Sequence, residues 1–183
     1  MFPSLSPLSD LGTAGLEVKV PPPPRFRAPA TNVRNVRFEP QEYARAKGDT
    51  AAKEAGLRYE EKVQHKLLDL FPGGYYASPK VSWFDDAGFR LCYPDGIITA
   101  TDRVVIFEIK LQHSPEAWWQ LRKLYTPVMQ AKIVGLPIQV IEVVRSYDPA
   151  MPFPELVSLV ADLDSYLDDA SFIPSFGVLV WKL

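Results

Sequence analysis

Asp95, Glu108 and Lys110 are the residues whose types and spacing best suit chemistry. Asp95 stands in Tyr93-Pro94-Asp95-Gly96, and the other two stand in Phe107-Glu108-Ile109-Lys110. Two carboxylates offer hard oxygen ligands to a divalent cation such as Mg²⁺ or Mn²⁺. A lysine beside them adds a mobile point charge with a tunable pKa. Such a set suits hydrolysis of a charged ester, where water must be activated and anionic charge neutralised. Taken alone, Glu-Ile-Lys is also the wet face of an ordinary strand, and Asp-Gly is a common turn dipeptide.

The intervening chain decides whether these groups meet. Ile97-Ile98-Thr99-Ala100-Thr101-Asp102-Arg103-Val104-Val105-Ile106 reads as strand, tight turn, strand. A turn centred between Thr101 and Asp102 sets Ala100 against Arg103. Counting outwards then sets Asp95 against Glu108. Directly opposed residues have Cβ atoms roughly 4.5–5.5 Å apart. Alternation puts Lys110 on the face of Glu108. A two- or four-residue turn keeps this register, and a three-residue turn shifts it by one. Like charges opposed on a sheet destabilise it, so the pair calls for a compensating cation.

The chain has 183 residues, is 47% hydrophobic and carries a formal charge of −2. It can bury one core. The sequence pI near 5.7 gives no whole-protein field for nucleic acid, so any such binding must rest on local basic patches. The single cysteine, Cys92, excludes an internal disulfide and reads as a reduced core residue. No apolar run is long enough to span a membrane. Met1-Phe2-Pro3-Ser4-Leu5 lacks a cationic region ahead of an apolar stretch, so a secretory signal is not expected. The expected setting is cytoplasmic, or virion-associated for a viral protein.

Residues 1–45 read as a proline-rich, extended or disordered arm, and residues 46–183 as the folded domain. Pro21-Pro22-Pro23-Pro24 favours polyproline II, and Arg25, Arg27, Arg34 and Arg37 make the end of the arm basic. The arm suits docking on a protein partner or on phosphates. Asp49-Thr50 is a helix-capping pair, and a helix follows from Ala51 to about Phe71, ended by Pro72-Gly73-Gly74. Gly56, Glu60, Val63, Leu67 and Leu70 share its apolar stripe. Glu61 is rotated towards Leu57, His65 and Leu68. An acid on a buried stripe is costly unless it is paired.

A strand is expected over Lys80–Phe84, a turn at Asp85-Asp86-Ala87-Gly88, and then the two motif strands. Ser114-Pro115-Glu116 reads as N-cap, N1 proline and first-turn acid of a second helix. Trp118, Leu121, Tyr125 and Val128 lie on one side of it, with a kink at Pro127. Ile138–Arg145 is a buried strand, Pro154–Leu167 a third amphipathic helix, and Gly177–Trp181 a last strand.

This order, with Pro94-Asp95 and Glu108-Ile109-Lys110 on successive strands, resembles the PD-(D/E)XK nuclease superfamily. The upstream Gly56-x-x-x-Glu60 is similar to the pattern of its RecB and lambda-exonuclease branches, and Gln112 matches a polar position of restriction-enzyme-like and resolvase members. The likeness covers about residues 51–145. It implies an α/β fold with a restriction-endonuclease-like αβββαβ core, a mixed sheet flanked by helices, and an appended C-terminal helix and strand. It implies a metal-dependent nuclease acting on nucleic acid, DNA foremost. Asp95, Glu108, the Ile109 carbonyl and Glu60 would hold Mg²⁺ or Mn²⁺, and Lys110 and Gln112 would complete the site. The RecB branch has a Gln-x-x-x-Tyr motif after the lysine, and here Gln120 and Tyr125 stand one residue further apart.

Arg58, His113, Arg122 and Lys123 are candidate nucleic-acid contacts, with Lys62 and Lys132 beside them. Each also reads as ordinary surface solvation or, for His113, a turn residue. Trp118, Trp119 and Tyr125 read as packing rather than base-stacking platforms. Expected partners are nucleic acid, a protein taking the arm, and a second copy of the chain. The competing reading is an inert nuclease-fold scaffold in a viral or DNA-processing assembly.

Overall fold

The computed structural model describes residues 29–39, 50–148, 150, 157–160, 163, 167 and 176–183. It is a mixed α/β fold with two sheets. The larger has six strands in the order β2-β5-β6-β7-β9-β8, and the smaller has three in the order β1-β3-β4. The strands are β1 (Arg34–Glu39), β2 (Tyr75–Ala77), β3 (Lys80–Asp85), β4 (Gly88–Cys92), β5 (Gly96–Thr99), β6 (Val104–Gln112), β7 (Ile138–Ser146), β8 (Val157–Val160) and β9 (Phe176–Val180).

Helix α1 spans Ala51–Leu70, and the Thr50 side chain accepts from the Lys53 amide at its start. A hydroxyl cap of this kind contributes about 1 kcal/mol. Tyr59, Glu60, Val63 and Leu67 face inward. Leu70 was expected on this stripe but is exposed. The helix ends there, and Phe71 packs on the core in its place.

Strand β6 is nine residues long and buried on both faces. Val105, Phe107 and Ile109 pack with Tyr59, Val63 and Leu67 of α1. Val104 and Ile106 face the opposite core, with Trp119, Leu121, Val128 and the small-sheet residues Val81 and Trp83. β5 and β6 pair antiparallel, while β6, β7 and β9 run parallel. Parallel neighbours need a long crossover. Between β6 and β7 it is built from α2 (Pro115–Trp119), a π-helical turn over Gln120–Tyr125, and α3 (Thr126–Lys132). Ser114 caps α2 through its side chain, and Pro115 follows it, as the sequence indicates.

The kink expected at Pro127 takes the form of the π turn just before it. Pro127 has no N–H for the Lys123 carbonyl four residues back. That carbonyl accepts instead from the Ala30 amide, 3.1 Å away. The N-terminal segment is thereby tied to the crossover helix.

Three expectations need correction. First, the strand expected over Lys80–Phe84 does not join the two motif strands in one sheet as the three strands of the αβββαβ core. β3 and β4 make a hairpin that pairs with β1 in the small sheet, and β2 is the strand that pairs with β5. β2 is only three residues long, too short to show a period. Second, Arg34–Glu39 is strand β1 and not part of an arm reaching residue 45. Ala30 is buried, and Val33, Val36 and Phe38 pack on the core. The other arm residues, 1–28 and 40–45, with the polyproline run, lie outside the described residues. Third, Val157–Val160 of the helix expected over Pro154–Leu167 is strand β8, which pairs parallel with β9; Leu163 and Leu167 are helical, and the other residues of that range lie outside the described residues. Sheet pairing overrides a short apolar pattern that fits either element. Among the described residues no helix is long and apolar enough to cross a membrane.

Candidate active site

The turn between β5 and β6 has the length that sets Asp95 against Glu108. Gly96 pairs with Phe107, and Ala100 donates to the Arg103 carbonyl at 2.9 Å. Antiparallel hydrogen-bonded pairs recur every second residue, so the ladder would next join Pro94 and Ile109. It does not. The Ile109 amide donates instead to Asp95 Oδ2 at 2.7 Å. The Asp95 side chain thus replaces a strand carbonyl where β5 and β6 part. Asp95 and Glu108 are buried, at 5% and 2% exposure.

Asp95 is held from its backbone as well. Its carbonyl accepts from the Ser78 amide at 3.1 Å, Gln64 Nε2 at 3.0 Å and the Tyr75 hydroxyl at 3.4 Å. Ser78 has φ +43°, a conformation uncommon for a residue with a side chain. Gly96 is required for space, not for a turn. A Cβ there would lie 2.5 Å from Tyr75 Cε2 and 2.8 Å from its Cζ.

Lys110 Nζ lies 2.5 Å from Glu108 Oε1. Burial works to lower the lysine pKa, but Glu108 and Asp95 outweigh it and push the pKa above its usual value. Lys110 is therefore a cation at neutral pH in this geometry.

Glu60 belongs to the helix on the far face of the sheet from Glu108 and Lys110. It reaches the site through Gln64. Gln64 Nε2 lies 3.0 Å from each of Glu60 Oε1, Ser78 Oγ and the Asp95 carbonyl. Glu61 and His65 are exposed.

Sequence reasoning missed Glu142. It is fully buried in the middle of β7, in register with Glu108. Its Oε2 meets His113 Nδ1, and its Oε1 accepts from the Ser114 amide at 3.1 Å. Burial pushes the carboxyl above its usual pKa, while His113, the Ser114 amide and Lys110 pull the other way. The visible signal was a lone acid inside Ile138-Gln139-Val140-Ile141-Glu142-Val143-Val144. His113 is thus no open turn residue but is buried at 4% exposure.

The remaining candidates scatter. Gln112 is exposed at the end of β6. Arg58 is exposed and pairs loosely with Glu54 at 3.7 Å. Arg122 lies over the Phe176 ring and Lys123 over Trp118, on the crossover helix. Lys62 and Lys132 are exposed. Gln120 and Tyr125 stand at the two ends of the π turn, and Gln120 Nε2 reaches the Tyr125 hydroxyl at 3.3 Å.

Among the described residues no three His, Cys, Asp or Glu side chains converge as a ready metal cage. The donor chemistry still fits a hard cation, since two carboxylates and the Ile109 carbonyl supply only oxygen. No family model, curated protein or solved structure matches this chain.

Proposed function

We propose that the chain is a metal-dependent nuclease that hydrolyses phosphodiester bonds in nucleic acid, DNA foremost. One observation carries the reading. The Asp95 carboxylate accepts from the Ile109 amide where β5 and β6 part, next in the chain to Glu108, and Lys110 lies against Glu108. The element order supports it. With the β3–β4 hairpin set aside, α1, antiparallel β2-β5-β6, the crossover helices and parallel β7 resemble the restriction-endonuclease-like αβββαβ core.

Asp95 and Glu108, with the Ile109 carbonyl, would hold Mg²⁺ or Mn²⁺. Bound there, the ion supplies Lewis acidity towards phosphate and water. Lys110 presents a fixed positive charge to the scissile phosphate and orients the attacking water. Glu60 and Gln64 brace Asp95 from the α1 side.

The test is a Mg²⁺-dependent digestion panel of circular, linear, single-stranded and branched DNA, and RNA. The wild type should cut at least one substrate. Lys110→Ala and Lys110→Gln should cut none. Lys110→Ala leaves the buried Glu108 charge without its cation, so near-UV circular dichroism must show both variants folded. Mn²⁺ should bind the wild type and not Asp95→Asn in calorimetry. A folded wild type inert on the whole panel overturns the reading.

A further inference from the structure

Parallel β6 and β7 end side by side, and the chain leaving β9 returns to the same end of the sheet. Two open cavities lie there. One, of about 670 Å³, is lined by Leu111, Gln112, Arg145, Ser146, Lys182 and Leu183. The other, of about 210 Å³, shares Arg145 and Leu183 with it and adds Arg58, Tyr59 and Lys62 of α1. The two cavities meet at Arg145 and Leu183, and we treat them as one groove from the end of β6 to the first half of α1.

Four cations line this groove, and none of the described lining side chains is acidic. Lys62 follows Arg58 by four residues, so both lie on one side of α1. The floor is apolar where Leu111 and Leu183 contribute. It is held in shape by Tyr59, whose hydroxyl donates to the Trp181 carbonyl at 2.9 Å, and by the Trp181 amide, which donates to the Val144 carbonyl at 2.9 Å. The cationic stretch has a definite end. Past Gln112 and Ser146 a third cavity, of about 280 Å³, is lined by His113 and by the acid Asp148.

We infer that this groove binds an unpaired nucleic-acid strand, its phosphates on Arg145, Lys182, Arg58 and Lys62 and its bases against the leucine floor. Cations that track the backbone supply the electrostatic part of single-strand binding, and the leucines give the bases an apolar surface in place of an aromatic one. The groove touches the face of the candidate site at Gln112, two residues beyond Lys110 on β6, while Leu111 and the α1 wall lie on the opposite face of the sheet, so a strand would pass around the end of β6. The inference deepens the nuclease reading: the groove would carry the strand that flanks the bond to be cut. Arg58 must leave its exposed pairing with Glu54, and a surface pair of that kind costs little to open.

The test measures binding without turnover. A fluorescent oligothymidylate is titrated into the full chain in EDTA and read by anisotropy. Arg145→Gln/Lys182→Gln should bind at least tenfold more weakly. Its salt dependence should flatten, by about 0.7 in the log–log slope for each phosphate that the variant no longer neutralises. Arg145→Lys/Lys182→Arg should restore binding to within about threefold, because charge and not shape is at stake. Both positions are exposed, so all variants should melt with the wild type. Wild-type affinity in the glutamine variant overturns the inference. So does tighter binding of a duplex of equal length, or equal competition by polyglutamate. Failure of the nuclease reading looks different. Strand binding that depends on Arg145 and Lys182 in a chain that cuts nothing keeps the groove and removes the enzyme. Cleavage that ignores both residues keeps the enzyme and removes the groove.

Discussion

Glu142 stands beside Glu108, in register across the parallel pair of β6 and β7, and both are buried. Each acid has its own compensation. Lys110 serves Glu108, while His113 and the Ser114 amide serve Glu142. Glu142 thus fastens the chain leaving β6 to the next strand. Glu142→Ala should destabilise the fold by about 3 kcal/mol, because it strands buried polar partners. Glu142→Gln should cost less, since its amide oxygen still accepts from Ser114. Urea melts of both variants check the order. Equal stability of Glu142→Ala and wild type would remove the bolt.

Gly96 is fixed by the Tyr75 ring. Gly96→Ala should cost about 1–3 kcal/mol through overpacking. In a Tyr75→Ala background the same change should cost less, because the obstructing ring is gone. Equal costs in the two backgrounds would mean that the clash is relieved elsewhere.

Glu60 and Glu61 separate by burial and partner. Glu60 is buried and bonded to Gln64, and Glu61 is exposed. On the nuclease reading, Glu60→Gln should slow cleavage at least tenfold, about 1.4 kcal/mol of barrier, with Glu61→Gln unchanged. Initial rates under saturating Mg²⁺ decide. The reverse order would place Glu61 in the site.

Asp85 gives a pH signature. Burial opposes its charge, but Trp83 Nε1 at 3.0 Å, the Ala87 amide at 2.8 Å and Arg90 at 2.9 Å together hold its pKa below the usual range. A depressed pKa adds stability above the unfolded value of about 3.9, and that stability is lost as pH falls through the folded value. Asp85→Asn should therefore cost on the order of 3 kcal/mol at pH 7. The gap from wild type should narrow as pH drops below about 4. Denaturant melts across pH 2–7 would show it, and a gap constant with pH would refute the assignment.

Strand β1 makes the small sheet a three-stranded one. A chain starting at Gln41 should be at least about 2 kcal/mol less stable than one starting at Pro29, given the apolar burial of Ala30, Val36 and Phe38. Calorimetric melting of the two chains measures this. Equal midpoints would show that β1 is dispensable.

Much of the site frame was legible because it is local. The Thr50 and Ser114 caps, and the register from Gly96–Phe107 onward, follow from a few neighbouring residues. Glu142 was not, because its partner His113 lies 29 residues away and its own strand reads as apolar. β2 was too short to carry a period. The helix stripe placed Glu60 inward, but its route around the sheet runs through Gln64, whose amide nitrogen lies within reach of three acceptors that no spacing rule foretells.

The bond from the Ser78 amide to the Asp95 carbonyl pinches the chain shut below the β3–β4 hairpin. Everything between these two residues leaves the large sheet and returns to the same point. The hairpin is in this sense a graft, and the six-stranded sheet does not count its length. A peptide spliced in at the Asp86–Ala87 tip would lengthen the graft and leave the Gly96–Phe107 register as it is. The tip thus gives a handle for attaching a tag or a reporter without re-registering the strands that build the candidate site.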